Sequence, residues 1–137
     1  MTIGFRIKRR TRVTGQEYIE RFSKLPVANV SDNMWRMSAG GARLRPMHGN
    51  GKMAGAALTV KTRPGDNLMI HKAIDMSGPG DVIVVDGGGD LSNALIGELM
   101  LSSAIKRGIA GFVIDGAVRD ADAFPARGLP VFAAGVT

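Results

Sequence analysis

The sequence predicts an α/β fold built around a parallel βαβ unit spanning residues 82–115, and three observations predict it. Val82-Ile83-Val84-Val85 and Gly111-Phe112-Val113-Ile114 are short, continuously apolar runs, the pattern of strands buried on both faces. Between them a helix is expected over some or all of Asn93 to Arg107, ending at Gly108, where glycine accepts the left-handed conformation that stops helices. A strand, a covering helix and a second strand in that order pack as a parallel pair with a right-handed crossover.

The other elements follow in chain order. Residues 1–14 form a basic arm, and 15–137 read as a single domain. Thr14-Gly15-Gln16-Glu17 has the form of a capping box that opens a helix to about Lys24, with Tyr18, Ile19, Phe22 and Leu25 as its apolar face and Pro26 as its stop. Ser31-Asp32 is expected to cap a second short helix carrying Met34, Trp35 and Met37, broken by Gly40-Gly41. Residues 43–54 read as a loop or irregular strand. Ala56 to Lys61 is a strand, Pro64-Gly65-Asp66 a turn, and Asn67 to Met76 a helix that offers Leu68, Ile70, Ala73 and Ile74 for packing. A second Pro-Gly-Asp, 79–81, leads into the strand at 82, and a third apolar strand is expected over Val131 to Ala134. The sequence halts at Thr137 just after that strand, so a C-terminal part is expected to be missing.

Composition narrows the function classes. At 137 residues with 45% hydrophobic content, the chain can bury a core without staples. It has no cysteine, which excludes disulfides and thiolate chemistry. No apolar run reaches the roughly 18 residues of a membrane-spanning helix. The basic start is not followed by a signal-peptide stretch. A cytoplasmic protein without a membrane is expected. The net charge of +6 is concentrated in the arm: Arg6, Lys8, Arg9, Arg10 and Arg12 are five of the 18 basic groups, leaving 13 against 12 acids for the rest. A charged arm without a basic face argues against nucleic acid as the partner. Such an arm is a solvated end, a subunit-packing segment or a phosphate-binding element.

Several motifs are excluded. Gly87 and Gly89 have GxG spacing, but Ser92 stands where a dinucleotide fingerprint needs its third glycine, and no P-loop is present. His48 and His71 form no zinc-ligand spacing, and His71 reads as a helix-surface or packing residue. Ser102-Ser103 lacks a nucleophile elbow.

In parallel α/β sheets ligands bind beyond the carboxyl ends of the strands. Two such ends carry chemistry here: Asp86-Gly87-Gly88-Gly89-Asp90 and Asp115-Gly116-Ala117-Val118-Arg119-Asp120. Three consecutive glycines let backbone approach a ligand closely, or simply make a flexible turn. Asp120 offers hard oxygen suited to Mg²⁺ or Mn²⁺, and Arg119 a fork suited to a carboxylate or an enolate. Glu98 interrupts an apolar stripe of Ala94, Leu95, Leu101 and Ile105. Either Gly97 marks the true helix start, leaving amide N–H groups free for an anion, or the helix starts near Asn93 with Glu98 at its rim.

These residues carry a resemblance. Pro79-Gly80-Asp81-Val82, Val85 to Asp90, Ala94 to Glu98 and Val113 to Asp120 resemble the 4-hydroxy-4-methyl-2-oxoglutarate / 4-carboxy-4-hydroxy-2-oxoadipate aldolase family, which also holds the RraA-like regulators of ribonuclease E. The likeness runs from about Val27 to the end of the chain and is most specific over 79–120. The family's enzymes carry an acid, twenty intervening residues and Arg-Asp; Glu98, residues 99–118 and Arg119-Asp120 reproduce that spacing. Many members have Asp at the first position, so Glu98 is a departure. The resemblance implies a swivelling β/β/α domain, a homotrimer or hexamer with sites between subunits, and chains that continue well past the position of Thr137. It implies that Asp120 binds the divalent cation and that Glu98 acts through water. Arg119 would hold the pyruvyl end of a small 2-oxo acid, and the backbone of Gly97, Glu98, Leu99 and Met100 its carboxylate. It further implies metal-dependent retro-aldol cleavage to pyruvate with oxaloacetate decarboxylation. The alternative is a non-catalytic RraA-like regulator that binds an RNA-degrading ribonuclease, but regulators proper lack the Asp after the Arg. Chains of this kind are sometimes called menaquinone methyltransferases, yet no adenosylmethionine site is recognisable.

Overall fold

The computed structural model describes residues 5–137. Residues 1–4 of the predicted arm lie outside the described residues. Residues 5–15 adopt no helix or strand.

A mixed α/β architecture follows. Helices α1 (Gln16–Ser23) and α2 (Val27–Asn33) come first, then strands β1 (Arg45–Pro46) and β2 (Ala56–Lys61), helix α3 (Leu68–Met76) and strand β3 (Asp81–Asp86). Strand β4 (Ala94–Ile96) leads directly into helix α4 (Glu98–Lys106). Strand β5 (Gly111–Val118), a 3-10 turn (Ala121–Ala123), helix α5 (Phe124–Arg127) and strand β6 (Val131–Val136) complete the order.

The sheet runs β1-β6-β5-β3-β2, with β4 paired to β5 off that path. The pairs β2/β3, β3/β5, β4/β5 and β5/β6 are parallel, and only β1/β6 is antiparallel. The parallel β3–β5 pair expected from the two apolar runs is present, with Val82 opposite Gly111 and Val85 opposite Ile114. Strand β5 is twice the predicted length because β4 extends the pairing, setting Ala94 opposite Ala117 and Ile96 opposite Val118.

The core lies between this sheet and helices α3 and α4. Ile70 and Ile74 of α3, Leu101 and Ala104 of α4, Ile83 and Val85 of β3, and Phe112, Ile114 and Val118 of β5 are all buried in one cluster. Phe124 of α5 joins it with no exposure. Each of the larger side chains among them contributes about 1.5–3 kcal/mol on removal from water.

Several local expectations are corrected, and the open choice of helix start is decided for Gly97. Thr14 makes no cap: Gly15 is the N-cap of α1, without a side-chain hydrogen bond. The apolar face of α1 stays out of the core, and Tyr18, Phe22 and Leu25 remain half exposed beside Val27, Val30 and Met53 around a shallow cavity of about 400 Å³. The second helix starts earlier than expected, on Pro26, so Ser31 and Asp32 fall in its last turn. Met34, Trp35 and Met37 follow it, and Trp35 is left-handed and 87% exposed. Finally, no helix begins near Asn93. Ala94-Leu95-Ile96 is a strand, because its three apolar residues gain a ladder on β5 and a place in the core. In α3, Leu68 is exposed while Ile70, Ala73 and Ile74 pack as expected.

Candidate active site

Strands β4 and β5 run side by side and deliver Gly97 and Arg119 to adjacent positions, where the Arg119 N–H donates to the Ile96 carbonyl at 3.0 Å. Gly97 is the N-cap of α4, in extended backbone with φ −142°. Its lack of a side chain is therefore not demanded by backbone angle. A Cβ there would lie 2.7 Å from Asp120 Oδ2 and 3.0 Å from Arg119 Cγ and Nε. Arg119 and Asp120 thus lie against the bare face of Gly97, and any larger residue would displace them.

Asp120 itself is left-handed, with φ 56°. Aspartate tolerates that region better than most residues. The turn aims its carboxylate back at the start of α4, where Oδ2 accepts the Glu98 N–H at 3.1 Å. Arg119 Nε lies 3.7 Å from the same oxygen. Asp120 Oδ1 has no hydrogen-bond partner among the described residues. The amides of Leu99 and Met100, in the first turn of α4, lack intrahelical acceptors by their position. Leu99 exposes its side chain, whereas Met100 is buried and accepts a long contact from Asn67 Nδ2 at 3.8 Å.

Gly97, Glu98, Arg119 and Asp120 are therefore brought together. The Glu98 side chain is not free, however: its Oε1 pairs with Arg127 Nη2 of α5. Sequence reasoning missed Arg127, whose partner lies 29 residues away with no local signal.

The triple-glycine turn does not join this cluster. Gly87 and Gly89 donate their N–H groups to the Asp115 carbonyl, each at 3.1 Å, and β4 intervenes between that turn and Arg119. Gly88 and Gly89 are left-handed, and a Cβ on Gly87 would lie 2.8 Å from the Asp115 oxygen, so the glycines serve close packing. The acids of this region are committed. Asp86 pairs with Lys61 at 2.7 Å, Asp115 pairs with Arg43, and Asp90 holds the turn through the Asn93 N–H. The hydrogen bond from Lys61, then the Gly88 amide and the Lys61 charge, hold the Asp86 carboxyl below the ordinary range, and the same pair raises Lys61. Amide hydrogen bonds led by the Ser92 N–H lower Asp90 as well.

His48 is buried and structural. Its Nδ1 lies 3.1 Å from the Val131 N–H, its Nε2 lies 3.4 Å from the Gly51 carbonyl, and its ring meets Phe132 edge-on. His71 stays exposed on α3.

A divalent cation is implied by the aldolase resemblance, and the residues fit one of the magnesium kind. Such ions keep several waters and take only one or two carboxylates besides substrate oxygens. Asp120 supplies one accessible carboxylate with an uncommitted oxygen. Among the described residues no group of three or more His, Asp or Glu could hold a metal. No helix among those residues is long and apolar enough to cross a membrane.

Comparison with known proteins places these features in context. A family described as "RraA-like: Aldolase/RraA" matches residues 27–137. A protein of Halalkalibacterium halodurans named "Putative 4-hydroxy-4-methyl-2-oxoglutarate aldolase" is 39% identical over 121 residues, covering 88% of this chain and 58% of its own length. The chain thus spans little more than half of that relative. Among solved structures, the "RNA-processing inhibitor RraA from Thermus thermophilis" superposes with a TM-score of 0.74 at 30% identity, over 83% of this chain and 69% of that one. A Geobacillus kaustophilus protein called S-adenosylmethionine:2-dimethylmenaquinone methyltransferase matches with a TM-score of 0.74 at 29% identity, over 82% and 70% of the two chains.

Proposed function

Because the chain belongs to the aldolase/RraA family, we propose that it is a divalent-metal-dependent carbon–carbon lyase. It cleaves 2-oxo acids of the 4-hydroxy-4-methyl-2-oxoglutarate type to pyruvate and decarboxylates oxaloacetate at the Gly97–Glu98–Arg119–Asp120 cluster. The observation that carries this reading is the placement of Asp120 and Arg119 together on the side-chain-free face of Gly97.

Asp120 would hold the cation, Mg²⁺ or Mn²⁺, which when bound supplies Lewis-acid polarisation of the 2-oxo carbonyl. The chain's own groups do the rest. Arg119 binds the pyruvyl end through its planar fork and stabilises the negative charge that develops on the enolate oxygen. The Leu99 and Met100 amides, at the positive end of α4, donate hydrogen bonds to the substrate carboxylate. Glu98 positions a water that takes the C4 hydroxyl proton as the C3–C4 bond breaks. The bonding pair passes into the pyruvate enolate, which is then protonated at C3. Oxaloacetate reaches the same enolate by losing CO₂, without a hydroxyl proton to remove.

Magnesium-dependent release of pyruvate from oxaloacetate, followed spectrophotometrically in the wild type and in Asp120→Ala, tests the assignment. Activity that survives chelation, or that persists in the variant, overturns it.

A second reading is favoured by the likeness to the RNA-processing inhibitor. On that reading the chain is a non-catalytic regulator that binds a ribonuclease. Asp120 weighs against it, and a chain that binds such a nuclease without forming pyruvate would establish it. The likeness to a named methyltransferase carries no such weight, since nothing in the sequence resembles an adenosylmethionine site.

A further inference from the structure

Two guanidinium groups flank the first turn of α4 from different elements. Arg119, at the end of β5, lies against Gly97, while Arg127, at the end of α5, pairs with the next residue, Glu98. We propose that Arg127 is the specificity-determining residue that reads the second carboxylate of a dicarboxylic 2-oxo acid, with Glu98 occupying its place until that carboxylate arrives. This rests on the lyase reading above and adds to it the residue that recognises the carboxylate of the departing fragment.

Three features support it. First, Arg127 sits on an element anchored in the core. It closes α5, whose Phe124 is fully buried in the core, and Gly128 then turns the chain into β6. Second, its fork is only partly used. Nη2 bonds Glu98 Oε1, and no other acceptor among the described residues engages the group. A guanidinium presents five N–H donors and matches carboxylates two at a time, so donors remain. Third, the partner it holds is the chemical likeness of the ligand proposed. Glu98 presents a carboxylate at the edge of the cluster, and both side chains are more than a third exposed. An ion pair that exposed contributes little to stability, so a substrate carboxylate can exchange with it at small cost.

The exchange has a functional corollary. While paired with Arg127, Glu98 is engaged. When the second carboxylate takes Arg127, Glu98 is released to position the water that receives the hydroxyl proton. Only a substrate with a carboxylate at both ends, one on the Leu99 and Met100 amides beside Arg119 and one on Arg127, completes the arrangement. No covalent step is involved: one carboxylate replaces another on the same cation.

The test compares the wild type, Arg127→Met and Arg127→Lys on two reactions that share the enolate. One is retro-aldol cleavage of 4-hydroxy-4-methyl-2-oxoglutarate, whose second carboxylate stays on the departing fragment. The other is exchange of the pyruvate methyl protons with deuterium, followed by NMR, whose substrate has one carboxylate. In Arg127→Met, kcat/KM for 4-hydroxy-4-methyl-2-oxoglutarate should fall about tenfold to a hundredfold, as one charge-assisted hydrogen bond is lost, mainly through KM. Pyruvate exchange should fall much less, so the ratio of the two shifts at least tenfold. Arg127→Lys should recover part of the ratio. An equal fall in both reactions, or no fall in either, overturns the proposal.

Should the wild type catalyse neither reaction, the lyase reading fails, and titration calorimetry with 2-oxoglutarate and 2-oxobutanoate decides this one separately. Tighter binding of the dicarboxylate in the wild type, lost in Arg127→Met, supports it. Equal binding of the two by the wild type overturns it.

Discussion

Asp120 Oδ2 accepts the backbone N–H of Glu98 at 3.1 Å across 22 residues of sequence. One carboxylate therefore caps a helix start and also presents its other oxygen at the candidate site. The two roles separate by substitution. Asp120→Asn keeps an acceptor for the amide and a residue type that tolerates the left-handed turn, so its melting temperature should stay within a few degrees of wild type. Its pyruvate release should nevertheless fall at least a hundredfold. Asp120→Ala should lose the same activity and about 1 kcal/mol of stability in addition. Thermal melts paired with the oxaloacetate assay check both.

Arg119→Lys keeps the charge and loses the planar fork. Removal of a well-placed donor to developing charge costs about 10²–10³ in turnover, and a point charge on a flexible stem does not restore it. The side chain is 67% exposed, so folding should be indifferent. A lysine variant with wild-type kcat would refute a bidentate role.

Gly97→Ala adds one methyl group where Asp120 Oδ2 lies 2.7 Å from the ideal Cβ position. The backbone angle suits alanine, so the penalty comes from contact alone. Activity should fall at least tenfold while secondary structure by circular dichroism stays unchanged. An active alanine variant would mean that Arg119 and Asp120 move aside freely and that their placement is not the basis of the site.

The pair Arg10–Asp81, at 2.6 and 2.9 Å, ties the basic arm to the start of β3. Burial would raise the Asp81 carboxyl, but the Arg10 hydrogen bond, the Gly78 N–H and the Arg10 charge together pull it below its ordinary value. A depressed folded value means the stabilisation is complete above the ordinary carboxylate pKa of about 4 and is lost as pH falls from there through the folded value. Arg10→Ala should therefore cost about 1–3 kcal/mol in urea unfolding at pH 7. The gap to wild type should close towards pH 2. A gap that is constant with pH would assign the cost to packing.

The elements easiest to read from the sequence were those with one unambiguous signal. The apolar runs at 82–85 and 111–114 could be buried strands on length alone, and Gly108 and the two Pro-Gly-Asp turns fixed what lies between them. Ala94-Leu95-Ile96 offered no such contrast, since three apolar residues before a helix fit its first turn as well as a strand. Its strand character comes from β5, a partner more than twenty residues away. Thr14 looked like a cap, but in the fold Gly15 takes that position. At the candidate site, the acid-to-Arg-Asp spacing and the bare Gly97 were visible in the sequence. The cations that occupy acids there and elsewhere in the fold were not: Arg127 on Glu98, Lys61 on Asp86 and Arg10 on Asp81 are 29, 25 and 71 residues from their partners. Charge pairs at that separation leave no periodic trace.

Strand β5 is bonded along both edges, to β6 from Phe112 to Val118 on one side and to β3 and then β4 on the other. Its amides should be among the last to exchange with heavy water, because no local opening exposes a strand clasped on both flanks. Arg119 and Asp120 are mounted at the tip of that girder. Warming should consequently extinguish turnover and melt the whole domain in a single superimposable transition, with no inactive but folded plateau between them.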